Sequence, residues 1–214
     1  MLPLLPGGGT ASAQSAQDLL DQMYPLLGAS EASDLDFWTD AQLLAWINAG
    51  MASLARSAAV FVGRDISISV EAGMASYALP THHLSTLHVS LGGSLLRPAS
   101  AAELDALSAT WQAATGTPAR YWQAPGLGLG TIGLYPNPAA SGTLAVIEHE
   151  LPDTLAAGNP LPLPDPLADY AFFYALAEAR AIESDGAMPE TAEACRQLCG
   201  LIEQIARDYW GVAQ

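Results

Sequence analysis

From Ala16 onward, apolar residues recur at helical spacing: Leu19, Leu20, Met23, Leu26 and Leu27 lead up to Gly28. This predicts a first helix whose end is limited by Pro25. Thr39 with Gln42 three residues on is a capping-box pattern, because the hydroxyl accepts from the third amide while the Gln side chain reaches back. The helix it opens carries Leu43, Leu44, Ile47, Met51, Leu54, Ala58 and Phe61 on one stripe, with Gly63 as its stop. The period then changes. Ile66, Ile68 and Val70 alternate with Asp65, Ser67, Ser69 and Glu71, the pattern of a strand with one wet face. Further strands are expected over 76–79, 87–91, 95–97, 121–123, 131–135 and 143–150, separated by turns such as Leu91-Gly92-Gly93-Ser94. Ser100 and Glu103 form a second capping box, opening a short helix that runs to about Trp111.

Asn159-Pro-Leu-Pro-Leu-Pro-Asp-Pro166 is a stiff extended segment ending in a helix start, with Asp165 as cap and Pro166 at the first helical position. Leu167, Tyr170, Ala171, Tyr174, Ala177 and Ala181 make the inner face of that helix, and Gly186 breaks it. The last helix starts near Pro189 and stripes Ala192, Cys195, Leu198, Cys199, Ile202, Ile205, Ala206 and Tyr209 inward. Two helices before a small, mostly antiparallel sheet and two after it predict an α+β fold: an antiparallel helical bundle from both chain ends with a central β-rich insertion. The expected divisions are a flexible tail over 1–14, bundle helices over 15–63, the insertion over 64–158, and a Pro-rich link with the C-terminal helices over 159–214. No internal repeat is visible.

Composition refines this picture. At 214 residues the chain suits one ordinary domain or two small ones. Its apolar fraction of 50% excludes disorder throughout, but 40 residues are Ala and bury little area each. A slender subunit that completes its packing against neighbours therefore fits as well as a compact globule. The net charge is −15, and all seven basic residues are scattered Arg, so a tight grip on nucleic acid is disfavoured. An acidic surface still suits a place where DNA must pass without sticking. The Pro/Gly-rich opening lacks the cationic and apolar regions of a signal peptide, and the chargeless stretch 121–147 is broken by Pro125, Pro136, Pro138 and many Gly. A soluble, unexported chain is expected. Cys195 and Cys199 lie four apart on one helical face and read as small buried groups rather than a disulfide or a zinc pair.

Candidate chemistry is sparse. Gly128-Leu-Gly130-Thr-Ile-Gly133 has dinucleotide-binding spacing, with Glu148 downstream, but Leu134-Tyr-Pro-Asn-Pro138 forbids the helix that motif needs. A flexible hairpin or bulged strand is the reading there. Glu148-His149-Glu150 and His82-His83 offer ligand chemistry, yet on a strand Glu148 and Glu150 share one face while His149 points away. Solvated surface groups are expected, and no metal, cofactor or catalytic residue is assigned. No Gly-x-Ser-x-Gly elbow is present. Tyr170, Phe172, Phe173 and Tyr174 surround their helix on more than one side, so that helix is either central or meets another chain.

A series of short motifs runs in order along the chain: Phe37-Trp38-Thr-Asp-Ala-Gln-Leu-Leu-Ala-Trp46-Ile-Asn48; Tyr77-Ala-Leu-Pro80; Leu95-Leu-Arg-Pro98 before Glu103-Leu104; Trp111 and Thr115-Gly-Thr-Pro118 before Tyr121; Leu134-Tyr-Pro-Asn-Pro138; Gly142-Thr-Leu; and Leu163-Pro164 before the helix from Tyr170 to Ala181. In this order and spacing the chain resembles the head-to-tail connector, or adaptor, proteins of tailed bacteriophages, over roughly residues 35–182. The Gly-rich stretch 126–133 and the Pro-rich leader have no counterpart in that pattern. The resemblance implies a structural virion protein without catalytic residues, made in the host cytoplasm and placed at the head-tail junction. It implies a helical bundle and a dodecameric ring that binds the portal protein and tail (nozzle or tube) proteins around a DNA channel, with DNA passing unbound and no membrane involved.

The chain end supplies a candidate interface. Tyr209 continues the inner stripe, Trp210 falls about 100° around from it, and Val212 follows in the short tail. A large aromatic off the buried stripe is more than one subunit requires, and Trp is enriched where interfaces draw their binding energy. Two readings are open: Trp210 folds back on its own bundle, or the end with Tyr209, Trp210 and Val212 docks on the portal, which the resemblance implies for the ends of such adaptors. The reading from a different class is an acidic α+β enzyme or ligand-binding domain with a site near Glu148, His149 and Glu150.

Overall fold

The computed structural model describes residues 13–29, 37–123, 130–182 and 188–210. Its contacts gather into two compact units, Met1–Val60 with Pro152–Gln214, and Phe61–Leu151. The fold is mixed α+β.

The first unit is helical. Helix α1 (Ala16–Leu27) opens on a capping box between Ser15 and Asp18 and closes at Gly28 in the left-handed conformation. Helix α2 (Asp40–Ala58) opens on the capping box of Thr39 and Gln42. It stops at Ala58, with Ala59 left-handed, rather than running through Phe61 to Gly63 as its stripe suggested. The reason is tertiary: the Phe61 carbonyl accepts the Glu150 amide, so strand pairing takes the backbone that another helical turn would need. Helix α3 (Ala101–Leu107) belongs to the other unit. Helix α4 (Asp165–Ala181) starts one residue earlier than expected: Pro164 is its N-cap without a side-chain hydrogen bond, Asp165 is the first helical residue rather than the cap, and Pro166 is the second, where its missing N–H costs nothing. None of the helix residues from Tyr170 to Arg180 is exposed. It is thus the central helix, in contact with α2, with α1 and with helix α5 (Pro189–Trp210), and α5 also touches α2. At Gly50 of α2 a Cβ would stand 3.0 Å from Tyr174 Cβ, so glycine sets how closely α2 and α4 approach. The buried Arg180 guanidinium of α4 donates to the Leu26 carbonyl, placing a cation at the C-terminal end of α1.

The Pro-rich link is bound to α1 rather than loose. Ala16 and Gln17, whose amides lack partners inside their own helix, donate to the carbonyls of Asn159 (3.1 Å) and Ala157 (2.6 Å). Leu161 and Leu163 are buried between outward prolines, and Leu161 donates to the Gln14 carbonyl. Gln14 is therefore held in place, although it falls inside the tail expected over 1–14. The rest of that tail lies outside the described residues.

The second unit is β-rich. One sheet has the order β1-β10-β3-β4, with β1 at Val62–Val70, β3 at His83–Leu91, β4 at Ser94–Leu95 and β10 at Gly142–Glu150. The other has the order β2-β8-β7-β5, with β2 at Ser76–Ala78, β5 at Arg97–Ala99, β7 at Arg120–Trp122 and β8 at Thr131–Tyr135. β6 (Thr115–Gly116) and β9 (Asn137–Pro138) form a small third pair. Both four-stranded sheets contribute to one core containing Val70, Tyr77, Val89, Tyr121, Ile132, Leu134, Leu144 and Val146. A single, mostly antiparallel sheet was the expectation. The pairs β5–β7 and β6–β9 are parallel, and the strand expected at 95–97 splits at the buried Leu96, each half joining a different sheet. Alternation identifies strands but not their partners.

Helix α3 (Ala101–Leu107) uses the Ser100–Glu103 capping box and stops before Trp111, which sits in a 3-10 turn. Trp111 meets Trp122 edge-on at 4.9 Å and donates from Nε1 to Asp105 at 2.7 Å. The Gly-rich segment 124–129 lies outside the described residues. Gly133 is in β8, where an added Cβ would stand 2.3 Å from the Trp122 ring.

Candidate functional site

Two places carry chemistry beyond what folding requires. The first is α5. Its buried residues are Ala192, Cys195, Cys199 and Ala206, a stripe of small side chains that lets the helix lie close against its neighbours. Leu198, Leu201, Ile205 and Tyr209 are 40, 62, 61 and 71% exposed. These four recur at three- and four-residue steps and share one face, about 100° around the helix from the buried one. Leu198, Ile205 and Tyr209 were expected on the inner stripe, and the structure corrects all three. The α5 sequence holds two adjoining apolar stripes, and the small residues, which approach a partner most closely, take the buried one. Leu201 was missed altogether, although its spacing from Leu198 and Ile205 was the available signal. Trp210 is the last residue of α5 and its side chain, like all of Val212, lies outside the described residues.

The second place is the end of β10. Leu144, Val146 and Glu148 point to the same buried face, and Glu148 is fully buried. This corrects its reading as a solvated group: the alternation that buries Leu144 and Val146 carries a carboxylate inward at the next step. Its Oε2 contacts His83 Nδ1, and the His83 side chain is only 6% exposed. Its Oε1 has no hydrogen-bond partner and lies 3.6 Å from His82 Nε2. Glu150 Oε2 is 3.4 Å from the same nitrogen. His82 lies in the turn before β3 and His83 is the first residue of β3, paired with Glu150; the register shifts between β10 and β3 at Ile147/Glu148 and His149/Glu150 flank this end of the sheet. His149 points away, as strand geometry requires, and its Nδ1 meets Ser85 Oγ at 2.9 Å. Burial holds its imidazole below the usual histidine range.

The two cysteines are free and buried, as their spacing predicted. No helix among the described residues is long and apolar enough to cross a membrane.

Compared with known proteins, the chain matches the family described as SU10 adaptor protein over residues 14–211, all but the first 13 and last three positions. No curated protein matches it. That profile takes in the helices of both chain ends and every strand between them, so the chain belongs to the SU10 adaptor protein family, structural phage head-to-tail adaptors rather than a class of enzymes, which implies a place in the virion among other head and tail proteins.

Proposed function

We propose that this adaptor closes into a ring, a dodecamer, beneath the portal and joins it to tail proteins around the DNA channel. In this reading the helices of both chain ends form an antiparallel bundle, residues 64–158 are its β-rich insertion, and subunits assemble in the host cytoplasm. DNA passes the ring without specific binding. The portal-docking surface is the C-terminal part of α5, where Tyr209 is joined by Trp210 and Val212.

The observation that carries this reading is the second apolar face of α5. Large apolar side chains that recur on one face of a helix, with Leu201 and Ile205 more than 60% exposed, are costly to leave in water. Burying a fully exposed Leu or Ile contributes about 1.5 to 3 kcal/mol, and covering the exposed 62 and 61% of Leu201 and Ile205 contributes a corresponding part of that. The face leads directly to Tyr209, so a partner seated on the chain end is seated on Leu201 and Ile205 as well.

The test uses Leu201→Glu with Ile205→Glu, and separately deletion of residues 210–214, in the full chain. Circular dichroism and urea unfolding should match the unaltered protein, because both side chains are solvent-facing. Cosedimentation with portal, and rings seen by negative-stain microscopy, should be lost. Normal attachment by either folded variant would discard the docking surface.

A further inference from the structure

We propose that the β-rich unit binds one first-row divalent cation of the zinc class between His82, Glu148 and Glu150. One ligand atom from each of these side chains lies within 4.8 Å of the others. The two separations from His82 Nε2, 3.6 and 3.4 Å, are wide for hydrogen bonds. They are right for donors sharing an ion, because tetrahedral ligands at about 2.1 Å from zinc stand about 3.4 Å apart.

Glu148 points to a ligand independently of this spacing. Its carboxylate is fully buried, yet Oε1 has no hydrogen-bond partner and faces His82. Buried carboxylates require a compensating charge or a full set of donors. His83 supplies half of that requirement through Oε2, and its Nε2 is in turn 3.4 Å from Thr86 Oγ1. Such a chain orients a carboxylate from behind and leaves its other oxygen for a metal.

The backbone around the cluster is already in place. Leu151 donates to the His82 carbonyl at 2.8 Å and Glu150 to that of Phe61 at 3.1 Å, so the turn, β10 and the start of β1 are held together by the main chain. At Gly63 in β1 a Cβ would stand 2.3 Å from Glu150 Oε2. Only glycine there lets the Glu150 carboxylate lie across the strand. His82 and Glu150 are 43 and 30% exposed in their side chains, which gives the ion a way in and leaves room for a water as fourth ligand. One imidazole with two carboxylates suits zinc and its first-row neighbours. Magnesium and calcium take oxygen ligands alone, and copper(I) selects thiolates.

This inference goes beyond the adaptor reading and does not depend on it. The experiment takes the full chain freed of metal by a chelator and titrates zinc chloride by calorimetry, with magnesium and calcium chlorides as comparisons. Cobalt(II) is added as a spectroscopic probe. Binding of one zinc per chain is expected, with a raised thermal midpoint and no response to magnesium or calcium. Cobalt should give weak visible bands without the strong near-ultraviolet absorption of thiolate ligation, which separates this site from Cys195 and Cys199. His82→Ala and Glu150→Gln, both at part-exposed positions, should each weaken zinc at least tenfold, and Gly63→Ala should do the same, whereas His149→Ala should not. No stoichiometric zinc, a thiolate spectrum, or affinity unchanged in both His82→Ala and Glu150→Gln would mean an adventitious ion only and would overturn the proposal. The cobalt spectrum of the unaltered chain decides the ligand type even where a variant unfolds.

Discussion

Cys199 shows what burial does to a single group. Its Sγ–H donates to the Tyr170 carbonyl at 3.7 Å, and burial, with Cys195 beside it, pushes the thiol up from 9.0 to about 12. A raised value means that the folded protein holds the proton more tightly than the unfolded chain does. The stabilisation is therefore fully present below pH 9.0 and is lost as pH rises through about 12. Two results are expected. A thiol reagent at neutral pH should label neither cysteine until denaturant is added, since the thiolate is the reactive form. The urea midpoint should fall as pH is raised above 9.0. Rapid labelling of the native chain would show that α5 leaves its seat. The burial was legible from the spacing of Cys195 and Cys199 in the stripe. That of Glu148 was not, because a carboxylate near a strand end belongs on the surface unless another segment supplies a partner, and His83 lies 65 positions away.

At the scale of elements, two capping boxes were legible in the sequence, Ser100 with Glu103 and Thr39 with Gln42, which form reciprocal bonds across three residues. The equally local box of Ser15 with Asp18 was missed, and Asp165 is not the cap of its helix. Asn48 is a different kind of device. From the middle of α2 its Nδ2 donates to the Leu44 and Leu155 carbonyls, and its Oδ1 accepts from the Leu155 amide at 2.8 Å. It holds the segment that returns to the helical unit, a role that its place in the Phe37-to-Asn48 motif did not reveal. Asn48→Ala strands the Leu155 amide and carbonyl without their partner and should cost about 1 to 3 kcal/mol in urea unfolding. A loss under about 0.5 kcal/mol, the range of ordinary surface changes, would show that water replaces the side chain. The two apolar stripes of α5 mark the limit of periodicity: helical spacing shows that both faces are apolar and leaves open which one is buried against the neighbouring helices.

For the whole molecule, charge is the property that bears on DNA. The chain carries −15, and of its seven arginines Arg180 is buried, while Arg196 and Arg207 face Glu193 and Glu203. Nucleic-acid affinity rises with the number of phosphates that Lys and Arg neutralise. The free protein should therefore pass through a DNA column even at about 50 mM salt, where such contacts are strongest. Retention would contradict a conduit that lets DNA slide by. In the ring proposed above, the same acidic surface would be multiplied, and a DNA path lined by it would repel the backbone all round.

The sequence by itself determined where helices begin, where the period switches from helix to strand and back, and which family the chain belongs to, because each rests on neighbours in the chain: a cap three residues away, alternation within a strand, motifs in a fixed order. Tertiary structure alone decided which strands pair, where α2 stops, which stripe of α5 is buried, and that Glu148 lies inside between two histidines. Those outcomes depend on segments far apart in sequence that compete for the same hydrogen bonds and the same apolar surface. A strand with one wet face accepts any partner of the right length. Residue types in order carry the first kind of information, and only their meeting in space carries the second.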